Sequence, residues 1–112
     1  MRFSTAKTKY VRISAKKARL VADLIRGHSV EEAISQLIYC RRKAGPLLKK
    51  TLNSAIANAE TQLDAKPSQL KIFEIRIDEG PAMKRAKSRS RGSRVPILKR
   101  SSHFTIVLAT EK

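Results

Sequence analysis

The chain has 112 residues, with 25 Lys and Arg against nine Asp and Glu and a formal net charge of +16. A chain of this length is expected to form one small domain over residues 1–112, and so basic a composition indicates a nucleic-acid partner. Aromatic residues make up 4% of the chain, and the longest apolar runs are too short to span a bilayer. These features argue against a membrane protein, and without an apolar leader a cytoplasmic location is expected.

The N-terminal third predicts a short strand followed by a helix. Tyr10, Val11 and Ile13 suggest the strand. Ser14 is a suitable N-cap and Gly27 a suitable terminator, which predicts a helix over residues 15–26. Its apolar positions recur at helical spacing: Ala18, Val21, Leu24 and Ile25.

Two more helices are predicted before residue 67. Ser29 followed by Glu32 is typical of a capping box and begins a short helix. Its apolar positions are Val30, Ala33, Ile34, Leu37 and Ile38. The third helix should be the longest, with Pro46 in its first turn and Pro67 after its end. Its apolar stripe comprises Leu48, Leu52, Ala55, Ile56, Ala59 and Leu63.

The hydrophobic period then changes from about 3.6 to 2, which predicts strands. The first strand has Phe73, Ile75 and Ile77 on one parity and Glu74, Arg76 and Asp78 on the other. Near the C-terminus, Phe104, Ile106 and Leu108 should face the core while Thr105 and Val107 face away. The predicted fold is α+β, with three helices on one face of a small, mostly antiparallel three-stranded sheet.

A basic segment without any acidic residue separates the two strands. Its cations between residues 81 and 103 are Lys84, Arg85, Lys87, Arg89, Arg91, Arg94, Lys99 and Arg100. A solvated loop or a disordered tail is the simplest interpretation of such a run. However, pairable strands flank it and Gly92 near its midpoint suits a tight turn, so residues 80–100 are predicted to form a β-hairpin arm.

The arm should project from the body. If the strands simply continue pairing, each leg adds about ten residues at ~3.3 Å each, or roughly 30 Å, against a radius of gyration of about 13 Å for the body. Long cations share one parity, at 85, 87, 89 and 91, and small residues the other, at 86, 88 and 90. This alternation suits a narrow cleft in folded RNA, where contacts to phosphates position the protein without reading bases.

The residues also match a known family. The matching blocks are YVRIS at 10–14, KARLVADLIRG at 17–27, SAIANAE at 54–60, DEGPAMKR at 78–85 and ILKRSSHFT at 97–105. On these blocks the chain resembles the bacterial-type large-subunit ribosomal protein L twenty-two family. Inside the arm it departs from the common family pattern at Ser88, Ser93 and Pro96.

The resemblance implies a non-enzymatic structural protein that binds large-subunit ribosomal RNA, assists assembly and lines the nascent-peptide exit tunnel with its hairpin tip. The implied partners are that RNA, neighbouring ribosomal proteins and the nascent peptide, with no self-association required. The tip would comprise Arg89, Arg91 and Gly92. The expected rRNA-binding residues are Arg12, Lys16, Lys17, Arg19, Lys84, Arg85, Lys87, Arg89, Arg91, Arg94, Lys99, Arg100 and His103.

Two other functions are compatible with parts of the sequence. An architectural DNA-binding protein could insert a basic β-arm into the minor groove, although such arms commonly carry an apolar wedge at the tip. A small ribonuclease could use His103 or His28 as general base with Glu79 or a lysine in support. Cys40 is the only cysteine, and no histidine near it has ligand spacing, so neither a metal site nor a cofactor is expected.

Overall fold

The computed structural model describes residues 2–88 and 94–110, and within them the chain forms three α-helices and five strands. In chain order the elements are β1 (Arg2–Val11), α1 (Ala15–Ile25), α2 (Val30–Ile38), α3 (Ala44–Gln62), a short 3-10 turn (Pro67–Gln69), β2 (Lys71–Glu79), β3 (Met83–Ser88), β4 (Arg94–Lys99) and β5 (Ser102–Thr110). The predicted α+β class is confirmed. No helix in the described part is long and apolar enough to cross a membrane.

The helix boundaries follow from local capping. Ser14 Oγ accepts the N–H of Lys17 at 3.4 Å and begins α1, and Gly27, at φ +81°, follows its end. Ser29 Oγ accepts the N–H of Glu32, also at 3.4 Å, and begins α2. In the expected capping box, the Glu32 carboxylate would accept the backbone N–H of the N-cap residue, Ser29. It instead contacts Nδ1 of His28 at 3.0 Å.

The longest helix, α3, packs across the sheet. Pro46 is its third residue, within the first turn as predicted, where a missing N–H costs no hydrogen bond. The predicted stripe from Leu48 to Ala59 is buried. Polar contacts fix the helix against β1: the hydroxyls of Thr8 and Thr51 lie 2.8 Å apart, and Ser4 Oγ donates to the Ala55 carbonyl at 3.3 Å. These contacts align the N-terminus of α3 with the end of β1.

The sheet has β5 at its centre, paired antiparallel with β1 on one side and β2 on the other. Phe104, Ile106 and Leu108 alternate inward and are fully buried, as their period of two predicted. The first strand is longer than the short one expected, because its inward positions are the small residues Ser4 and Ala6, which leave little apolar signal. Helices α1 and α3 pack on one face of this sheet, and α2 packs against both of them.

Several predicted core positions are exposed. Phe73 is 56% exposed and Ile72 takes its place in the core, because an irregularity between Ile72 and Glu74 shifts the register against β5. The Phe73 ring instead contacts that of Phe3, with centroids 4.9 Å apart. Leu24 and Ile38 are also about half exposed, because the sheet and neighbouring helices cover only part of each predicted apolar stripe.

The molecule is elongated. Its radius of gyration is 17.0 Å, against about 13 Å for a compact chain of this length. Its principal extents are 65 × 25 × 17 Å. These dimensions agree with an arm that projects from a small body, as the sequence predicted.

Candidate nucleic-acid interface

The predicted arm is an antiparallel two-stranded ribbon. Strands β3 and β4 pair over six positions, from Met83 opposite Lys99 to Ser88 opposite Arg94. One leg contains Lys84, Arg85 and Lys87, and the other contains Arg94 and Lys99. The residues predicted for the tip, Arg89, Arg91 and Gly92, lie outside the described residues.

The two legs differ in composition. The register sets Lys84 opposite Leu98, Arg85 opposite Ile97 and Lys87 opposite Val95, so each cation of β3 is paired in the ladder with an apolar residue of β4. Pro96, which replaces an N–H donor in the ladder, is opposite Ala86. Three of the six residues of β3 are cations, whereas four of the six residues of β4 are apolar.

The arm does not continue the body sheet in simple register, and that expectation was wrong. Three residues separate β2 from β3, while two separate β4 from β5. The Gly80 N–H still donates to the Ser101 carbonyl at 2.9 Å, and Ser101 Oγ donates to the Pro81 carbonyl at 2.7 Å. Pro81 has no N–H to extend the ladder, so the pairing is interrupted here and resumes at Met83.

His103 supports the base of the arm from the central strand. Its Nδ1 accepts the backbone N–H of Tyr10 at 3.1 Å, and the two rings meet edge to face with centroids 4.9 Å apart. A Cβ added at Gly80 would lie 3.2 Å from His103 Cε1, so the imidazole also packs closely against the arm base. The structure thus gives His103 a structural role, whereas the sequence suggested only an RNA contact or a general base.

A second basic region surrounds the N-termini of α1 and α3. Lys43 Nζ donates to the Arg12 carbonyl at 3.1 Å, which joins the start of α3 to the end of β1. A cleft of about 400 Å³ opens between them, lined by Ile13, Lys17, Arg42, Lys43 and Ala44. Cations in a first helical turn oppose the helix dipole, so a bound anion would be favoured here by both the side chains and the free N–H groups.

Two further clefts connect this region to the arm. One of about 280 Å³ is lined by Tyr10, Arg12, Pro81, Lys99, Arg100 and Ser101, none of which is acidic. The other, of about 430 Å³, is lined by Ser14, Ala15, Lys16, Glu79, Gly80, Ala82, Arg100 and Ser101. The tertiary structure therefore gathers five of the predicted RNA-binding residues at the arm base: Arg12, Lys16, Lys17, Lys99 and Arg100.

Arg19 differs from these residues because its guanidinium is already engaged. Nε and one terminal nitrogen donate to the Ile77 carbonyl at 3.2 and 2.8 Å. Arg26, about two helical turns further along the chain, donates to the Ile75 carbonyl at 2.9 Å. Both carbonyls belong to β2, an edge strand, so the two arginines join α1 to the sheet and cover part of its open edge.

The two histidines lie in separate parts of the fold, and each contacts a different neighbour. His28 contacts Glu32 at the start of α2, while His103 contacts Tyr10 on β1. Across residues 2–88 and 94–110, no three His, Cys, Asp or Glu side chains are grouped to hold a metal ion.

Sequence reasoning missed one residue at the arm base. Tyr10 was assigned only to a short strand, yet it lines the cleft with Arg12, Lys99 and Arg100 and is 65% exposed. Its position between Lys9 and Arg12 is a weak sequence signal for an aromatic residue among cations. Tyr10 comes close to the arm only because β1 pairs with β5, a contact between distant parts of the chain.

Comparison with known proteins agrees with this architecture. The family model for ribosomal protein L22p/L17e matches residues 6–109. A relative from Protochlamydia amoebophila, named large ribosomal subunit protein uL22, is 56% identical over 109 residues, covering 97% of this chain and 98% of the relative. Proteins of the same name from Chlamydia abortus and Chlamydia trachomatis serovar L2b are 50% identical over 107 residues and 52% identical over 103. The first covers 96% of each chain, and the second covers 92% of this chain and 93% of the relative. The chain therefore belongs to the ribosomal protein L22p/L17e family, a family of structural proteins of the large ribosomal subunit.

Proposed function

We propose that this protein binds large-subunit ribosomal RNA with its arm and with the basic clefts at the arm base, and that it assists assembly of the subunit by holding RNA segments together. The observation that carries the proposal is the acid-free hairpin, which extends from a body of otherwise ordinary size. The cations of its described strands that we propose to neutralise phosphates are Lys84, Arg85, Lys87, Arg94 and Lys99.

The arm base extends this surface onto the body. Arg12, Lys16, Lys17 and Arg100 line clefts beside the start of α1, where the side-chain cations and the positive end of the helix dipole both favour phosphate. His103 is proposed to act through the geometry of this base, by holding Tyr10, and Arg19 mainly through the edge of β2. Because such contacts involve the RNA backbone, recognition depends on the folded shape of the RNA more than on its sequence.

The hairpin tip is proposed to line the nascent-peptide exit tunnel. Arg89, Arg91 and Gly92 are the residues assigned to it, on the family resemblance and on their place between β3 and β4. The nascent peptide and neighbouring proteins of the subunit are the further proposed partners, and binding requires neither self-association nor a cofactor. Large subunits of bacteria are cytoplasmic, in agreement with the location expected from the sequence.

No catalytic step is proposed. His103 was the strongest candidate for a general base, and its Nδ1 is occupied by the Tyr10 N–H. The relatives reported above carry the name of a ribosomal protein and not of an enzyme. Purified protein incubated with labelled RNA should therefore give no turnover.

Salt-dependent binding to a transcript of large-subunit rRNA tests the RNA proposal. Replacing Lys84 and Lys87 with Gln should weaken binding and lower the magnitude of the slope of log K against log salt by about 1.5, because two phosphate contacts are lost. The matched control replaces Lys66 and Lys71 with Gln, which removes the same charge at the other end of the body. If both pairs of substitutions weaken binding equally, RNA affinity depends on net charge alone, which would contradict a role for the arm.

A further inference from the structure

Tyr10 occupies an unusual backbone conformation at the base of the arm. The register of β1 against β5 shifts between Thr8 and Val11, and within this irregularity Tyr10 has φ +59°. A bulky residue with a side chain rarely adopts this left-handed region, and such strained positions concentrate at functional sites. Gly or Asn would adopt this backbone conformation with less strain. If tyrosine has a functional advantage at this position, the advantage must therefore come from its ring.

Two contacts from β5 hold the residue in place. His103 Nδ1 accepts its N–H at 3.1 Å, and the imidazole meets the phenol ring edge to face. His103 is itself half-buried and lies on the central strand β5, which restricts the movement of its ring. The ring nevertheless remains largely solvent-exposed, because Tyr10 is 65% exposed. The conformation therefore presents an aromatic surface outward and does not bury it.

The neighbours of the ring indicate what it could bind. The cleft that Tyr10 lines also contains the cations Arg12, Lys99 and Arg100, with Pro81 as its other bulky apolar member. An exposed aromatic ring among cations, without an acid in the cleft, matches the usual arrangement for an unpaired nucleotide, whose base stacks while its phosphates meet Lys and Arg. Three cations without an acid in so small a cleft suit a polyanion better than a protein partner, because the cores of protein interfaces are depleted in charged residues.

The exposed phenylalanine pair makes a useful comparison. Phe3 and Phe73 contact each other on the outer face of the sheet, and Glu74 lies next to Phe73 in the chain. Their rings thus already have an aromatic partner, and an acid is nearby. Tyr10 also contacts an aromatic ring, that of His103, but its cleft contains three cations and no acid, which favours RNA at the arm base.

We propose that Tyr10 stacks on an unpaired nucleobase of ribosomal RNA at the base of the arm, while Arg12, Lys99 and Arg100 hold the adjoining phosphates. This inference rests on the proposed RNA-binding function and deepens it. Phosphate contacts alone would allow the arm base to meet any backbone, whereas a stacked base selects a bulged or single-stranded nucleotide.

Tyrosine fluorescence can test the stacking directly, because the chain has two tyrosines and no tryptophan. In the full-length Tyr39→Phe variant, emission comes from Tyr10 alone. Titration with a transcript of large-subunit rRNA should quench this emission, since a stacked base removes the excited state of the ring. A fully paired RNA duplex of equal charge should leave the emission largely unchanged. Strong binding of the transcript without quenching would overturn the inference.

Affinity measurements provide the second test. Tyr10→Phe keeps the ring and should bind the transcript within about twofold of the unchanged protein, whereas Tyr10→Leu should bind roughly tenfold more weakly. The slope of log K against log salt should be the same for both, because no charge is removed. Circular dichroism with thermal unfolding confirms that both variants are folded.

These outcomes separate the inference from the function on which it rests. If the unchanged protein binds the transcript with a steep salt dependence and Tyr10→Leu binds equally well, stacking is wrong and RNA binding stands. If the unchanged protein does not bind the transcript, the proposed function itself fails.

Discussion

Replacing Gly80 with Ala tests whether close packing between Gly80 and Ser101 stabilises the joint between the arm and the body. A Cβ at this position would lie 2.5 Å from Ser101 Oγ, which is too close for both atoms to stay in place. Ser101 Oγ can rotate away only by giving up its 2.7 Å hydrogen bond to the Pro81 carbonyl, at a cost of ~1 kcal/mol.

Two further contributions to the free energy of unfolding, crowding at His103 and the lower entropy of the unfolded chain, nearly offset each other. The new methyl group also presses on His103 Cε1 at 3.2 Å, and crowding costs ~1–3 kcal/mol in a tight core, with the low end expected at this half-buried ring. Loss of glycine freedom in the unfolded chain returns ~0.4–1 kcal/mol. Gly80→Ala should therefore lower the free energy of unfolding by ~1–1.5 kcal/mol.

A double-mutant cycle measured by urea denaturation makes the reasoning refutable. Ser101→Ala alone should cost ~1 kcal/mol, because it removes the same hydrogen bond. The double variant should be about as stable as Ser101→Ala, since the atom that clashes with the new methyl group is gone. This corresponds to a coupling of ~1 kcal/mol. Costs that simply add, within ~0.5 kcal/mol, would show that Gly80 and Ser101 act independently.

Three further variants address the body. Phe104→Ala should lower the free energy of unfolding by ~3–5 kcal/mol in the same assay, because the ring is fully buried beneath the helices; a loss below ~1 kcal/mol would contradict its central place in the core. Ser102→Ala should cost ~1–3 kcal/mol, since Ser102 Oγ donates at 2.7 Å to the Ile13 carbonyl in a buried site, and normal stability would mean that this bond contributes nothing. Arg19→Gln should cost ~1–2 kcal/mol and Arg19→Lys nearly as much, because a single ammonium does not reproduce the two-pronged contact with the Ile77 carbonyl; full rescue by Lys would exclude that geometry.

Features governed by neighbours in the chain could be predicted from the sequence. The caps at Ser14 and Ser29, the end of α1 before Gly27 and the start of α3 around Pro46 all depend on interactions within a few residues. The same holds for the alternation of β5 and for the acid-free segment between the strands. Binary patterning was sufficient because each of these signals repeats locally.

Tertiary structure alone decided which residues meet. The displacement of Phe73 from the core, the engagement of Arg19 on an edge carbonyl and the contact between Tyr10 and His103 all depend on strand register and on helix placement. The partners in these contacts are separated by tens of residues, so no local period encodes them. Charge and periodicity predicted that a basic arm exists; the irregular joint at Gly80 and the exposed ring of Tyr10 follow from long-range pairing, because a shift of one residue changes which side chains share a face.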